Sequence, residues 1–90
     1  MVQLSIYLAK PVLPVQIEDH CAKAGLTLTM QGSLKSIAPN THWHFKKGKQ
    51  KGVLEITLMH QTGEIILSVH QNRRGGWEDE MMRSLQAQLV

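Results

Sequence analysis

The residues best suited to chemistry are two histidines and a glutamate on predicted strands, namely His44, Glu55 and His70. A row of two imidazoles and a carboxylate across adjacent strands could hold a metal ion or polarise a general base. Facing side chains of paired strands come within about 5 Å, so a suitable register would bring this row together, with His42 one step along. The chain has no HExxH motif and no Cys-His zinc spacing. The alternative is a polar outer sheet face on which Glu55 pairs with one imidazole, and the sequence by itself assigns no metal ligand.

Six of the ten lysines and arginines cluster in two segments that the predicted topology brings to one corner of the sheet. They are Lys46, Lys47, Lys49, Lys51, Arg73 and Arg74. Glycines in the same segments would let backbone amides approach a phosphate. The acidic residues at 78–80 fill the first turn of the next predicted helix and would repel a phosphate at its N-terminus. We therefore expect the lysines and arginines themselves to contact a polyanion such as an RNA or DNA backbone, and the alternative is a solvated loop.

No motif for catalysis or for a bound cofactor stands out. The chain lacks GxxxxGK[ST] and GxGxxG, so the common nucleotide-binding loops are absent. Cys21 falls on the same predicted helix face as Ile17 and Ala24, which indicates a small core residue rather than a nucleophile. The sequence therefore predicts a binding domain, with no catalytic residue and no cofactor, rather than an enzyme.

Composition bounds the class of protein. Ninety residues, of which 42% are hydrophobic, predict a single domain over residues 1–90. The formal net charge of +3 permits an acidic partner without requiring one. One cysteine excludes an internal disulfide and suits a reducing cytoplasm. No apolar run approaches the roughly 20 residues that span a bilayer, and the N-terminus does not resemble a signal peptide, so we expect no membrane partner.

Two alternating strands around Thr62 and Gly63 form the clearest local pattern. Strand side chains alternate with a period of two, so only one parity of pairing places apolar residues against apolar residues. A two-residue turn at Thr62 and Gly63 supplies that parity. The resulting pairs are Leu58 with Leu67, Ile56 with Val69, Thr57 with Ser68, and Glu55 with His70. Threonine suits a type I′ turn poorly, so a longer turn is the alternative.

The remaining pattern completes an α+β fold. The predicted elements are a strand at 2–8, a helix at 15–24, a strand ending near 32, a strand at 41–45, the hairpin strands, and a helix at 77–89. This order, β-α-β-β-β-β-α, predicts a two-layer sandwich with a mostly antiparallel four- to five-stranded sheet and two helices on one face. The first strand could pair parallel to the second through a helical crossover or lie at the opposite edge.

Self-association is the alternative to binding a metal ion or a polyanion. Met59 and Ile66 are apolar residues on the nominally polar sheet face, and Tyr7 could join them. A small two-layer domain often completes an uncovered sheet by symmetric pairing. A homodimer, or another protein-interaction module, built on this face would bury the histidines and leave no metal site.

Overall fold

The computed structural model describes residues 2–7, 12–35, 39–69 and 75–89. Its elements are β1 (Val2–Ile6), α1 (Pro14–Lys23), β2 (Thr27–Gly32), β3 (Asn40–Lys46), β4 (Leu54–Met59), β5 (Ile65–Val69) and α2 (Glu78–Leu89). This is the predicted order, and the α+β class is confirmed. Three of the predicted site residues, His70, Arg73 and Arg74, lie outside the described residues. Neither helix in this described part of the chain is long and apolar enough to cross a bilayer.

The sheet has the strand order β1-β5-β4-β3-β2, and every neighbouring pair is antiparallel. The first strand pairs with β5, so it lies at the edge opposite β2, which was one of the two expected placements. Pro14 begins α1, where its missing N–H costs no helical hydrogen bond, and the Gln16 side chain accepts a hydrogen bond from the Leu13 N–H at 2.7 Å. The α1 helix thus carries the chain from one edge of the sheet toward the other.

One face of the sheet and both helices share a single buried core. Trp43 and Phe45 of β3 point into this core, and they are joined there by the apolar residues that alternate along β4 and β5. The helices contribute Ile17, Cys21, Met82 and Leu85 to the same cluster. Because side chains alternate across a strand, His42, His44, Glu55 and Thr57 must lie on the second face. That face carries no helix within the described part of the chain.

The register of the β4–β5 hairpin differs from the predicted one by two residues. The observed pairs are Leu58 with Ile65, Thr57 with Ile66, Ile56 with Leu67, and Glu55 with Ser68. The turn spans residues 60–63 and is closed by hydrogen bonds from the Met59 N–H to the Glu64 carbonyl and from the Gly63 N–H to the Met59 carbonyl, each 2.8 Å. Gly63 has a φ of 76°, whereas Thr62 does not take the positive φ that a type I′ turn requires.

This register corrects the predicted histidine row. A shift of two residues preserves the parity of the strand, so each side chain stays on the face that its position predicts. The partner nevertheless changes. Ser68, and not His70, lies opposite Glu55, so the prediction that these two side chains pair directly is wrong.

Candidate metal centre

Two facing pairs of β3 and β4 position the polar residues of the second sheet face. His44 lies opposite Glu55, which confirms the register predicted for this strand pair, and His42 lies opposite Thr57. The connection between the strands turns at Gly48, which has a φ of 57°, and the Gln50 N–H donates to the Lys47 carbonyl at 3.1 Å. The two imidazoles share a face because they stand two residues apart on one strand.

Three side-chain atoms of this group converge on one point. His42 Nε2 is 3.1 Å from Glu55 Oε1, and His44 Nε2 is 3.4 Å from the same oxygen. The two Nε2 atoms are 3.1 Å apart, and the imidazole rings meet edge to face at 77°. The observed group is therefore His42, His44 and Glu55, in which His42 takes the place predicted for His70.

The group is largely shielded from solvent although no described helix covers this face. The side chains of His42 and Glu55 are 6% and 9% exposed, while that of His44 is 20% exposed. Solvent thus reaches the group mainly beside His44, and interactions among the three polar atoms are screened less than they would be on an open surface.

Hydrogen bonds alone cannot satisfy all three contacts within this triangle. A neutral imidazole carries one N–H proton, so each Nε2 can donate at most one hydrogen bond, which lies in the plane of the ring. An ionised carboxylate oxygen only accepts, so the three edges would need three protons where at most two can be present. A cation between the atoms would instead accept a lone pair from each of them, which makes this arrangement suited to metal coordination.

The separations also match the spacing of ligands around a metal ion. With bonds of about 2.1 Å, neighbouring ligand atoms are roughly 3.4 Å apart in a tetrahedral site and roughly 3.0 Å apart in an octahedral one. Atoms at the observed distances could therefore all be ligands of one such ion. No rearrangement of the strands is needed to bring the donors to this spacing.

A further contact orients one of the imidazoles. His42 Nδ1 lies 2.7 Å from Thr57 Oγ1, and both residues are 5% exposed. This contact is shorter than any edge of the triangle. It involves the ring nitrogen that faces away from Glu55 and His44.

The predicted basic corner is only partly within the described residues. Lys46 ends β3, and Lys47, Lys49 and Lys51 follow in the connection to β4. The Trp77 indole N–H donates to the Lys51 carbonyl at 2.9 Å, so this connection lies beside the start of α2. Lys49 and Lys51 are exposed, and Lys46 and Lys47 are half-buried.

Sequence reasoning placed His42 beside the predicted row but did not count it as a ligand. The signal that could have found it is the spacing His-Trp-His, which puts two imidazoles on one strand face. Comparison of the chain with protein-family models, curated proteins and solved structures finds no match. The geometry of the three donor atoms therefore guides the functional proposal.

Proposed function

We propose that the protein binds a divalent transition-metal ion of the zinc class through His42 Nε2, His44 Nε2 and Glu55 Oε1. The observation that supports this proposal is the mutual separation of the three atoms, 3.1 to 3.4 Å. Imidazole nitrogens suit zinc, copper, iron and nickel, whereas magnesium and calcium prefer shells of oxygen. Two nitrogens and one oxygen thus favour the first group of metals.

The coordination shell would have at least one position open to water or to an external ligand. Among the described histidine, cysteine, aspartate and glutamate side chains, three each supply one ligand atom to this cluster. A zinc ion takes four or more ligands. The remaining position would lie on the side of His44, where the group is most exposed. Structural zinc sites are usually closed by four protein ligands, so an open shell favours a site that exchanges ligands.

The experiment is a zinc titration of the protein purified without a polyhistidine tag. We expect one equivalent to bind, and zinc at a hundredfold excess over the dissociation constant to add about 2.7 kcal/mol to the free energy of unfolding. For a chain of this size that corresponds to a rise in Tm of roughly 10 °C or more. An unchanged melting curve for the wild type would contradict the proposal.

Two variants make the zinc experiment specific. His44→Ala removes the most exposed ligand and should abolish the rise in Tm. His60→Ala is the matched control, because His60 follows the end of β4, its Nε2 contacts Thr41 Oγ1 of β3 at 2.8 Å, and it is not one of the three ligands. It should retain the full effect. Equal responses from the two variants would mean that zinc binds elsewhere.

A second candidate function is contact with a polyanion, such as an RNA or DNA backbone, through the lysine connection. It is supported by Lys47, Lys49 and Lys51, none of which has a described carboxylate within salt-bridge distance. Lys49 and Lys51 are also exposed. Ammonium groups without a carboxylate partner can neutralise phosphates and release counterions, so the affinity should fall steeply with salt. In this proposal Arg73 and Arg74 add to the same contact.

The polyanion proposal is tested with a mixed pool of RNA and DNA oligonucleotides at low and moderate salt. Replacing Lys47, Lys49 and Arg74 by glutamine should weaken binding without lowering Tm. A control that removes three positive charges elsewhere, at Lys23, Lys35 and Arg83, should keep more of the affinity. Equal losses in the two triple variants would indicate a response to net charge and remove the proposed contact site.

We also propose a cytoplasmic location, which a single free cysteine supports because free thiols suit a reducing compartment. A homodimer through the second sheet face is the competing use of that face, because it would cover His44. Light scattering with and without zinc measures the mass directly. A dimer that forms equally well in both conditions would favour self-association over a solvent-open metal site.

A further inference from the structure

We infer that Thr57 is a positioning residue for the metal site, whose hydroxyl accepts the Nδ1 proton of His42 and so leaves Nε2 free to bind the metal. This inference rests on the proposed metal-binding function. Its basis is the contact of 2.7 Å between Thr57 Oγ1 and His42 Nδ1, in which both residues are 5% exposed.

The chemistry of imidazole makes this contact decisive for ligation. A neutral ring that binds a metal through Nε2 must carry its proton on Nδ1. Here that N–H is buried, and a buried donor without an acceptor would raise the free energy of the metal-bound state. The Thr57 oxygen is within hydrogen-bond distance of Nδ1, so it can accept this proton when the metal is bound.

The surrounding strands explain why the acceptor is Thr57. His42 lies between Gly32 of β2 and Thr57 of β4, which are its two facing residues. Gly32 has no side chain, so on that side no facing side chain can accept a proton. The role therefore falls to Thr57, which the β3–β4 register places directly opposite the ring.

The hydroxyl also favours the metal-bound state over the metal-free state. A hydroxyl both donates and accepts, so without metal Thr57 can donate to Nδ1 while the Nε2 proton of His42 is directed at Glu55. Coordination makes the imidazole a stronger donor, and a hydrogen bond from a ligand to such a partner raises the ligand's basicity. Loss of a partner of this kind typically lowers metal affinity about 10- to 100-fold.

The test compares the zinc affinities of four proteins by competition with a chelator. Thr57→Val keeps the shape of the side chain but removes the acceptor, and it should bind zinc about 10- to 100-fold more weakly than the wild type. Thr57→Ser restores the hydroxyl and should recover most of the affinity. Thr41→Val is the matched control, since it removes a threonine contact to His60 of the same kind outside the metal site.

A second readout separates positioning from a general structural role. In protein labelled with nitrogen-15 in its histidines, the imidazole shifts of His42 report which nitrogen carries the proton. With zinc bound, the wild type and Thr57→Ser should show a protonated Nδ1 and a metal-bound Nε2. A melting curve of each variant without zinc shows whether the fold is intact.

The outcomes distinguish this inference from the function on which it rests. Wild-type protein that binds no zinc would overturn both. Zinc binding by the wild type together with undiminished affinity in Thr57→Val would overturn the role of Thr57 alone. So would a zinc-bound spectrum in which His42 ligates through Nδ1. A loss in Thr57→Val that Thr57→Ser does not repair would show that packing, and not the hydroxyl, is responsible.

Discussion

Replacing Glu78 by glutamine should destabilise the fold, because this buried carboxylate accepts a hydrogen bond from the backbone just before α2. Glu78 has no exposed surface, and its two oxygens lie 2.7 and 3.0 Å from the Gly75 nitrogen. A hydrogen bond to a charged acceptor contributes roughly 1.5–3 kcal/mol, against roughly 0.5–1.5 kcal/mol for a neutral one. Loss of the charge also removes a helix-dipole interaction of about 0.3–1 kcal/mol. We therefore expect Glu78→Gln to lower the free energy of unfolding by about 1.5–2.5 kcal/mol.

The control for this prediction is Glu80→Gln, in the same first turn. Glu80 is exposed, so its substitution should cost only the dipole interaction of about 0.3–1 kcal/mol. Urea unfolding of the two variants and the wild type measures the difference directly. Neutralising a buried charge can also stabilise a protein by relieving its desolvation. If Glu78→Gln were as stable as Glu80→Gln, that desolvation would outweigh the hydrogen bond and the reasoning would be refuted.

Two further predictions concern titrating side chains. Burial, followed by the nearby charge of Glu18, raises the pKa of the Cys21 thiol from 9.0 to about 12. Since the folded thiol holds its proton more tightly than the unfolded one, its contribution to stability is complete below pH 9.0 and is lost as the pH rises toward 12. The loss should approach about 1.4 kcal/mol per pH unit in urea unfolding. Cys21→Ala should show a shallower decline, and identical slopes would contradict the burial argument. A hydrogen bond to Glu64, together with the charge of that residue, raises the pKa of Tyr7 above 10.0. Tyr7 is the only tyrosine, so tyrosinate absorbance reports it directly. Glu64→Gln should lower the midpoint, and an unchanged midpoint would exclude the contact.

The segment before α2 illustrates a constraint that the local sequence pattern did not reveal. A side chain on Gly75 would collide with the Lys51 carbonyl, which the Trp77 indole N–H already contacts at 2.9 Å. These residues are distant in sequence, and nothing in the local pattern indicates that their backbones meet. From the sequence, Gly75 is one of the glycines that would let backbone amides approach a phosphate at the basic corner. The structure shows that a close approach between two backbone segments requires glycine here.

The alternation of side chains was sufficient to predict which face the residues of β3, β4 and β5 occupy. It failed in β2, where a register shift between Leu28 and Met30 puts Met30 opposite His44. Trp43 and Phe45 are buried against the helices, and His42, His44 and Glu55 share the other face, because strand geometry has a period of two whatever the partner. The order of the elements and the antiparallel pairing of β3, β4 and β5 also followed from local signals, since short connections between amphipathic strands favour antiparallel neighbours. The edge at which β1 lies did not follow from them. The predicted hairpin register was wrong by two residues, which leaves each side chain on its predicted face. The polar face was therefore predicted correctly.

Tertiary structure decided which residues on that face meet. The turn at 60–63 is longer than two residues because Thr62 resists a positive φ, and this length puts Ser68 opposite Glu55. The rotamers of two imidazoles then bring His42 and His44 onto one carboxylate oxygen, and Thr57 to Nδ1 of His42. The two-residue period of a strand is a property of the local chain, so it can be predicted from the sequence. Turn length and rotamer choice depend on the energies of contacts between distant segments, so only the folded arrangement resolves them.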